Sequence, residues 1–380
     1  MSLIRDIRII GLETALPESQ AYGMARGLTS RRGACLVMVE TEDGVTGIGE
    51  AWGPSKISAA YLDLIRPYFL GQSLYSQRGV QHMILSKHYH FGTQNQMIAL
   101  FSGIDIAAHD AMGKLLGLSV CDLIGGRQRT QVPVYASGGY FTLEADQQAA
   151  LAKQLEPHAN SGFPAFKIKI GRSPAEDAER VKLARQIIGD KPILTVDSNG
   201  NYTVDQALES MRRIAPYNIG WYEEPLAPQD WRGYAELKQK APIPLATGEA
   251  LYETFDFRRL VEERLVDVVQ PDLSLAGGLS VARFVGELCA SAHLRVSPHV
   301  WGGPIGLAAA AHWVASLPCY PHSNNDPTPT LVEYDIGQNP LRECLLRTPL
   351  TAVNGLLAVP TGPGLGVEID LEAMAQFRVD

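Results

Sequence analysis

Three carboxylates recur in the second half of the chain at intervals of 26 residues. Asp197, Glu223 and Glu249 each close a short apolar run, in the segments ILTVD, IGWYE and IPLATGE. Three carboxylates at one height repel one another unless a cation lies among them. Oxygen ligands without His or Cys favour a hard cation, Mg²⁺, or Mn²⁺ as its substitute. The spacing therefore predicts a divalent metal site, provided that the three runs are neighbouring strands.

Two polar residues beside these carboxylates are candidates for further contacts. Asn199 lies in the segment DSNG, and Glu224 lies in the segment YEEP. Either residue fits a place in or next to the coordination shell of the metal, and either fits an ordinary polar position at the end of a strand. We predict the ordinary position for Glu224 and count Asn199 among the candidate substrate-binding residues.

Two lysines alternate with isoleucines in the segment FKIKI, a pattern typical of a buried strand. Residues i and i+2 share a face of a strand, so Lys167 and Lys169 point the same way. Buried ammonium groups are costly unless they are paired or neutral, and two of them lower each other's pKa, which nearby carboxylates oppose. A lysine tuned towards neutrality can accept a proton. We assign that role to Lys169, nearer the end of the strand, with Lys167 tuning it; the alternative is an edge strand with solvated lysines.

Asp272 and His299 close two further apolar runs, VDVVQPD and LRVSPH. On neighbouring strands the carboxylate can accept from one ring nitrogen and leave the other as a base. A chance pairing of a core histidine with a carboxylate is the alternative, and a lone Asp at such a position is often a helix N-cap. His109 and His312 lie in apolar helical stretches, and we predict packing roles for both.

The positions of these residues indicate the elements that must hold them. From Val132 onwards, eight short apolar, β-branched runs alternate with amphipathic helices, the pattern of a parallel β/α barrel. Catalytic side chains of such a barrel lie at the carboxyl ends of its strands. One polar residue recurs per unit of 23 to 28 residues, and we expect the six to converge on one rim. They are Lys169, Asp197, Glu223, Glu249, Asp272 and His299.

The rest of the chain predicts a second unit. Its first ~125 residues begin with β-rich runs around a Glu-Asp-Gly turn signal and continue with helical periodicity that stops at Gly117. We predict an α+β capping domain over residues 1–128 and the barrel over residues 129–351. The Gly/Pro-rich tail, residues 352–380, is expected to pack back on the capping domain.

Composition narrows the choice of ligand. The 41 acidic and 33 basic side chains give a net charge of −8, and no Lys/Arg cluster occurs, so we expect neither nucleic acid nor membrane as a partner. No apolar run reaches ~18 residues, and no signal-peptide pattern is present, so we expect a cytoplasmic protein with a small-molecule ligand. Five scattered cysteines without a C-x-x-C pair predict reduced, mostly buried thiols rather than disulfides or zinc ligands. They are Cys35, Cys121, Cys289, Cys319 and Cys344.

Several motifs together resemble a known family. The segments KIKIG, VDSNG, YEEP, TGE, QPD with a following GG, and PHVWGG are similar to those of the enolase superfamily, mandelate racemase/muconate lactonizing enzyme subgroup. The resemblance covers essentially the whole chain. It implies an α/β fold, a (β/α)₇β TIM-like barrel with a capping domain formed by the N-terminal region and the C-terminal tail. It also implies one Mg²⁺ per active site and a homo-oligomer, an octamer or a dimer.

The resemblance assigns roles position by position. It implies that Glu333, in the segment LVEYD, hydrogen-bonds the substrate carboxylate or enolate as an acid. The remaining implied roles are metal ligation by Asp197, Glu223 and Glu249, and acid/base chemistry by Lys169 with Lys167 and by His299 with Asp272.

Substrate choice is the least determined property. The tail and the segment SPHVWGG look most like those of galactarolactone cycloisomerases and acid-sugar dehydratases. Two cap loops, near residues 15–32 and 50–54, are expected to close the barrel mouth, and the segment Lys87–Gln96 is polar and aromatic enough to reach it. The candidate selectivity residues, each of which also fits plain loop packing, are Tyr22, Arg26, Trp52 and Trp301.

The constellation suits abstraction of the proton next to a carboxylate. A cation binds that carboxylate and stabilises the enolate, while Lys169 and His299 face the two sides of the carbon. Dehydration of an acid sugar, cycloisomerisation of its lactone, and racemisation or epimerisation of a 2-hydroxy acid remain alternatives. A non-catalytic sugar-acid-binding barrel predicts a broken position in the set, and none is broken. A Schiff-base aldolase using Lys169 leaves the three carboxylates unexplained.

Overall fold

The computed structural model describes residues 2–318 and 329–379. Cys35, Cys121 and Cys289 are buried and Cys344 is exposed, whereas the expectation for Cys319 falls outside the described residues. None of the helices in these two ranges combines the length and apolar character needed to cross a bilayer.

The first part of the chain forms an antiparallel sheet covered by helices, as the sequence predicts. Its elements are β1 (Ile4–Ala15), β2 (Tyr22–Met24), β3 (Gly27–Thr29), β4 (Arg31–Thr41), β5 (Thr46–Ala51), α1 (Ser55–Phe69), α2 (Gln77–Lys87), α3 (Gln96–Leu116) and α4 (Val120–Ile124). Strand β4 pairs with β1 and with β5, and the predicted Glu-Asp-Gly turn joins β4 to β5, with Gly44 at φ +78°.

Helix α3 is the central helix of this domain, and its ends follow the sequence signals. The side chain of Asn95 accepts a hydrogen bond from Met97 N at the first turn, and Gly117 ends the helix in the left-handed conformation that glycine adopts readily. Strand β5 lies directly on α3 because of its glycines. A Cβ at Gly47 would lie 1.9 Å from Ala107 O, so the strand could not approach this closely with a larger residue.

The second part of the chain is the predicted barrel. Its elements are β6 (Gln131–Gly138), β7 (Phe141–Thr142), α5 (Gln147–Leu155), β8 (Ala165–Lys169), α6 (Pro174–Ile188), β9 (Ile193–Asp197), α7 (Val204–Ile214), β10 (Ile219–Glu223), α8 (Trp231–Lys240), β11 (Leu245–Thr247), α9 (Glu253–Glu262), β12 (Val268–Val269), α10 (Gly278–Ser291), β13 (Arg295–Val296), α11 (Pro304–Ser316) and β14 (Val332–Asp335). The eight predicted runs form eight parallel strands in the order β13-β12-β11-β10-β9-β8-β6-β14. Ser297 Oγ donates to Leu331 O at 2.7 Å and so joins the two ends of this order.

The C-terminal segment contacts both units. Its elements are α12 (Pro340–Cys344), β15 (Leu356–Ala358), α13 (Leu371–Phe377) and β16 (Arg378–Val379). Strand β16 pairs with β1, and Val120 N donates to Gly364 O, so the tail packs back on the first unit as predicted. Strand β15 instead pairs with barrel strand β6, which the sequence did not indicate.

The two units share part of their hydrophobic core, although the first unit also has a core cluster of its own. The larger cluster of buried apolar side chains includes Leu36, Ile48 and Ile106 from the first unit together with the barrel residues. The small strand β7, which follows barrel strand β6, pairs with β2 of the first unit. These contacts place the hairpin β2–β3 and the end of β5 against the barrel.

Candidate active site

The register of the parallel strands brings the predicted residues to one height. Lys169, Asp197 and Glu223 are the last residues of β8, β9 and β10, and each is the register partner of the next. Because all eight strands run parallel, their carboxyl ends form one rim. Glu249 follows β11 by two residues.

Asp197, Glu223 and Glu249 form the carboxylate triad predicted from the sequence. Each offers one oxygen, and the three atoms lie within 4.8 Å of one another. Burial raises the pKa of Glu223 to about 7, with Lys167 opposing and Asp197 reinforcing the rise. Glu249 Oε2 is buried without a hydrogen-bond partner among the described residues. A divalent cation would satisfy this oxygen and relieve the repulsion, so the donor set fits Mg²⁺.

The two flanking polar residues, Asn199 and Glu224, are incompletely paired. Asn199 Oδ1 and Glu224 Oε1 are buried and have no hydrogen-bond partner among the described residues. Both residues adopt positive φ, 47° and 40°, which is uncommon for non-glycine residues and recurs at functional sites. Burial and the neighbouring carboxylates Glu249 and Asp197 raise the pKa of Glu224 well above its ordinary value. Glu224 thus differs from the ordinary strand-end residue that we predicted.

The two lysines lie inside the barrel and are held by carboxylates. Lys167 Nζ lies 2.5 Å from Glu223 Oε1 and 2.7 Å from Glu333 Oε1, and it is fully buried. Lys169 Nζ lies 2.5 Å from Asp197 Oδ2. The solvated edge strand is therefore excluded for β8, which lies between β6 and β9.

The expected neutral lysine is not what this arrangement produces. Burial lowers the pKa of Lys169, and the charge of Lys167 lowers it further, as predicted. Asp197, with smaller contributions from Glu249 and Glu333, outweighs both, and the net pKa is raised. For Lys167, Glu223 and Glu333 outweigh burial and hold the pKa well above its ordinary value. Both side chains are ammonium ions while these carboxylates remain their partners.

His299 and Asp272 come together on adjoining loops. His299 Nδ1 lies 2.7 Å from Asp272 Oδ2, and Asp272 Oδ1 accepts from Ser274 N at 2.7 Å. The other ring nitrogen, Nε2, lies 3.4 Å from Glu249 Oε2. Burial lowers the pKa of His299, but Glu249, Glu333 and Asp272 outweigh it and raise the pKa to about 10. The imidazole is therefore a cation that points one N–H at the triad.

Glu333, on β14, closes the cluster from the far side. Its Oε1 accepts from Ser137 Oγ at 2.6 Å, and its Oε2 accepts from Val300 N at 3.0 Å. Burial favours the protonated form, but Lys167 and His299 outweigh burial and hold the pKa of Glu333 below its ordinary value. Glu333 is thus an ionised acceptor here, which differs from the acid implied by the resemblance.

The four candidate selectivity residues differ in their surroundings. Tyr22 and Trp301 pack together with ring centroids 5.9 Å apart, and Tyr22 OH donates to Arg31 O at 3.1 Å. These contacts fit the packing alternative for both residues. Arg26 Nε donates to Asn199 O at 2.7 Å, so it holds the loop after β9. Trp52 is 43% exposed.

The segment Lys87–Gln96 touches the region of the mouth through its end. Gln94 Nε2 donates to Asp256 Oδ2 on α9 at 3.1 Å, and Gln96 Nε2 donates to Trp52 O. His109 and His312 have the packing roles that we predicted. His109 Nδ1 contacts Asp105 O, whereas His312 lies between Cys121 N and Leu365 O.

Sequence reasoning missed three residues that hold the site. Trp221 Nε1 and Gln270 Nε2 both donate to Glu223 Oε2, at 3.0 and 2.7 Å. Trp221 precedes Glu223 by two positions and so shares its face of β10, and Gln270 immediately follows β12, so both carried usable signals. Glu50, at the end of β5, is buried against the loop after His299.

Comparisons with known proteins agree with this geometry. The chain matches the model of the mandelate racemase/muconate lactonizing enzyme N-terminal domain over residues 9–125 and that of the enolase C-terminal domain-like family over residues 149–374. It is 35% identical to D-galactarolactone cycloisomerase of Agrobacterium fabrum over 92% of each chain.

Solved structures extend the similarity to the whole fold. The 3,6-anhydro-D-galactonate cycloisomerase of Zobellia galactanivorans superposes with a TM-score of 0.88 at 30% identity over all of both chains. A racemase of Streptomyces coelicolor A3(2) with bound magnesium superposes with a TM-score of 0.87 at 27% identity, over 99% of this chain and 100% of that one. The chain therefore belongs to the enolase superfamily, in its mandelate racemase/muconate lactonizing enzyme group.

Proposed function

We propose that this protein is a Mg²⁺-dependent enzyme that removes the proton next to the carboxylate of an acid sugar or its lactone and then expels a β-oxygen. The outcome is dehydration or cycloisomerisation. One observation carries the proposal. Two buried acid/base groups flank the carboxylate triad, with Lys169 on Asp197 and His299 Nε2 3.4 Å from Glu249. The names of the relatives supply the substrate class.

The triad would hold the metal. Asp197, Glu223 and Glu249 offer three anionic oxygens, and bound Mg²⁺, or Mn²⁺ in its place, would supply a Lewis acid for the substrate carboxylate and the enolate. Trp221 and Gln270 keep Glu223 Oε2 in a fixed orientation. Lys167, inside the barrel, balances the charge of Glu223 and Glu333.

The hydrogen-bond and ion-pair partners of Lys169 and His299 support different roles for the two groups. Lys169 is held protonated mainly by Asp197, a member of the triad. When Asp197 serves the metal site instead, burial and Lys167 favour the neutral amine, so Lys169 is the base that takes the α-proton. His299 also contacts the triad through Glu249, but it keeps Asp272, which lies outside the triad. His299 therefore stays charged and is the acid that protonates the departing oxygen.

A panel of acid sugars and their lactones in D₂O, followed by NMR, tests the proposal. With Mg²⁺ we expect a keto-deoxy product that carries solvent deuterium at its deoxy carbon, because the carbon next to the carboxylate becomes the keto carbon. Deuterium at the carbon next to the carboxylate is expected only in recovered substrate. Chelation is expected to abolish both signals, and added Mg²⁺ or Mn²⁺ to restore them. The matched variant Glu249→Gln keeps the shape of the site, removes one charge of the triad and should lose both signals. Neither exchange nor turnover with any compound in the presence of Mg²⁺ would refute the proposal.

A racemase or epimerase of a 2-hydroxy acid is the second candidate, because groups on two sides of the triad also permit proton removal on one face and return on the other. The same panel separates the two reactions. Deuterium in recovered substrate of inverted configuration, with all hydroxyl groups retained, identifies the racemase. The Schiff-base alternative needs a neutral lysine without a metal, and Lys169 paired with Asp197 does not supply one; trapping with borohydride tests it.

We further propose the capping-domain and barrel boundaries at residues 128/129 and 351/352, a cytoplasmic location, and a homo-oligomer. Several large apolar side chains are more than half exposed on the isolated chain. They include Tyr89, Leu143, Phe255, Val353 and Leu371. Light scattering after gel filtration distinguishes an octamer or dimer from a monomer.

A further inference from the structure

The loop that carries His299 has little regular structure of its own. We call residues 299–303 the His299 loop; it lies between β13 and α11. Strand β13 has only two residues, so few ladder hydrogen bonds fix the residues after it. Within the barrel, His299 forms an isolated parallel β-bridge with Asp272, and Val300 N donates to Glu333. The rest of the loop, up to Gly303, depends on contacts from outside the barrel strands.

Glu50 supplies such contacts from the other domain. It is 1% exposed, its Oε1 accepts from Gly303 N, and its Oε2 accepts from Gly306 N at 2.9 Å. Gly303 is the N-cap of α11 and has no capping side chain, and Pro304 at the next position has no N–H. Glu50 thus caps a 13-residue helix of the barrel, a position where the helix dipole favours a carboxylate.

The sequence of β5 delivers Glu50 to this place. Side chains alternate between the faces of a strand, and the segment TGIGEA presents Gly47 and Gly49 to α3 while Ile48 and Glu50 face the barrel. The fit is close on the barrel side as well. A Cβ at Gly302 would lie 2.2 Å from Glu50 Oε1, so the loop is shaped around this carboxylate.

Arg342 holds the same loop through its carbonyl groups. Arg342, on α12, donates from Nε to Gly302 O at 3.0 Å and from Nη2 to Val300 O at 2.8 Å. The end of β5 also reaches the loop that carries Asp272, the carboxylate partner of His299, because Trp52 N donates to Ser274 O at 2.9 Å. Ser274 N in turn donates to Asp272.

We propose that Glu50, assisted by Arg342, is a positioning residue through which the capping domain sets the orientation of His299 relative to Asp272 and the triad. The inference rests on the proposed function in that it takes His299 as the acid. It goes beyond that function because it makes the capping domain part of the acid/base machinery, in addition to any part in substrate choice.

The test compares Glu50→Gln with Asp110→Asn. Glutamine keeps the shape but can accept only one of the two backbone N–H groups. Asp110 is a matched control, because it is equally buried in the capping domain and accepts from Ile48 N and Leu365 N, both at 2.8 Å. Both variants lose one backbone acceptor, and Asp110→Asn also weakens the ion pair with Lys114, whose Nζ lies 2.6 Å from Asp110 Oδ2. The control should therefore lose at least as much stability as Glu50→Gln.

Two readouts are used. The first is the ¹⁵N NMR signal of the His299 ring, identified by its loss in His299→Asn. The second is steady-state kinetics with Mg²⁺ and a substrate found in the panel. We expect Glu50→Gln to shift the His299 signal and to lower kcat about 10- to 100-fold with little change in KM, as a misplaced acid does. Asp110→Asn should leave the His299 signal and kcat unchanged, and both variants should bind Mg²⁺ like the parent.

Arg342→Gln is the second variant, and it tests the positioning of His299 if Glu50→Gln does not fold. It should shift the same ring signal and lower kcat in the same direction. A His299 signal and kcat that stay at parental values in the folded variants overturn the proposal, and so do equal changes in Asp110→Asn. If the parent turns over no compound, the proposed function fails, and the His299 signal alone still decides whether Glu50 positions the ring.

Discussion

Lys169 and His299 approach the carboxylate triad from different sides of the barrel mouth, and different parts of the chain hold them. Lys169 ends a five-residue strand between two paired neighbours, and its partner Asp197 ends the next strand. His299 lies in a loop after a two-residue strand. The lysine side is thus built by barrel strands, with Arg26 of the capping domain holding only the loop after Asp197. The histidine side depends on Asp272, on Glu50 of the capping domain and on Arg342 after the last strand.

This difference separates the two groups chemically. Lys169 depends on a triad carboxylate for its proton, so its charge is tied to the metal site. His299 has a second carboxylate, Asp272, that the metal does not claim. A bound cation would therefore favour a neutral Lys169, which can act as a base, and a protonated His299, which can act as an acid. Elimination of a β-oxygen requires one base and one acid.

The largest expected effect comes from removing each group in turn. Lys169→Met should abolish deuterium exchange next to the carboxylate and lower turnover about 10³- to 10⁴-fold, since it removes the base. His299→Asn should lower turnover by a similar factor but keep exchange in recovered substrate. NMR in D₂O measures both, and Mg²⁺ titration checks that the triad is intact. Exchange that survives in Lys169→Met and disappears in His299→Asn would reverse the two roles.

The second prediction concerns the charge of His299. Without metal its pKa of about 10 keeps the ring protonated at neutral pH, and this raised pKa contributes stability that is complete below ~6.5 and disappears as the pH rises to about 10. Mg²⁺ should lower this pKa, because it engages Glu249, yet Asp272 should keep it above ~6.5. A ¹⁵N titration with and without Mg²⁺ measures it.

An internal reference makes that titration decisive. His312 is buried, and burial lowers its pKa to about 4, so its ring should remain neutral throughout and unaffected by Mg²⁺. A His299 ring that is neutral at pH 7 with Mg²⁺ bound would remove its role as the acid and leave the two sides chemically alike.

Arg26 tests a smaller contribution, made by the capping domain on the lysine side. Its guanidinium donates to Asn199 O and Gly200 O in the loop after Asp197. Arg26→Lys loses this two-pronged contact, and the cost of about 1.4 kcal/mol for one charge-assisted bond corresponds to a roughly tenfold rise in KM. Steady-state kinetics measures it, with Arg31→Lys as the control.

The control is the same Arg-to-Lys substitution at a position that does not contact the loop after Asp197. Arg31 lies next to the same hairpin and pairs with the exposed Glu13, and exposed pairs of this kind contribute little. Equal KM values for the two variants would show that the Arg26 contact does not affect the site.

The smallest expected effect on stability is at Trp52. The residue is 43% exposed, and the hydrogen bonds that fix it involve its backbone. Trp52→Ala should lower the free energy of unfolding by about 1 kcal/mol, because the side chain is only partly buried, while kcat/KM changes unequally among the acids of the panel. Thermal unfolding and the panel measure the two quantities. An unchanged substrate profile would remove Trp52 from the selectivity residues.

The barrel side of the site was largely predictable from the sequence. Lys169, Asp197 and Glu223 each end an apolar run, and the alternation of side chains along a strand fixes their direction. Parallel strands in one barrel place such ends at one rim. Local pattern and a regular repeat are therefore enough to bring these residues together.

Other features depended on contacts between distant parts of the chain. The raised pKa of Lys169, the ionised state of Glu333 and the unpaired oxygen of Glu224 result from which charges meet in the buried cluster. A sequence lists these charges but not their distances, and the sign of a pKa shift depends on the balance between burial and partners.

The sequence by itself determined the rim residues, because strand period and repeat length are local properties that survive in any barrel of this kind. The tertiary structure alone decided that Glu50 caps a helix 253 residues away along the chain and that Arg26 binds the loop after Asp197. Both contacts use backbone groups of glycine-containing loops, which carry no side-chain pattern. Only the packing of the capping domain on the barrel brings each donor and acceptor within reach.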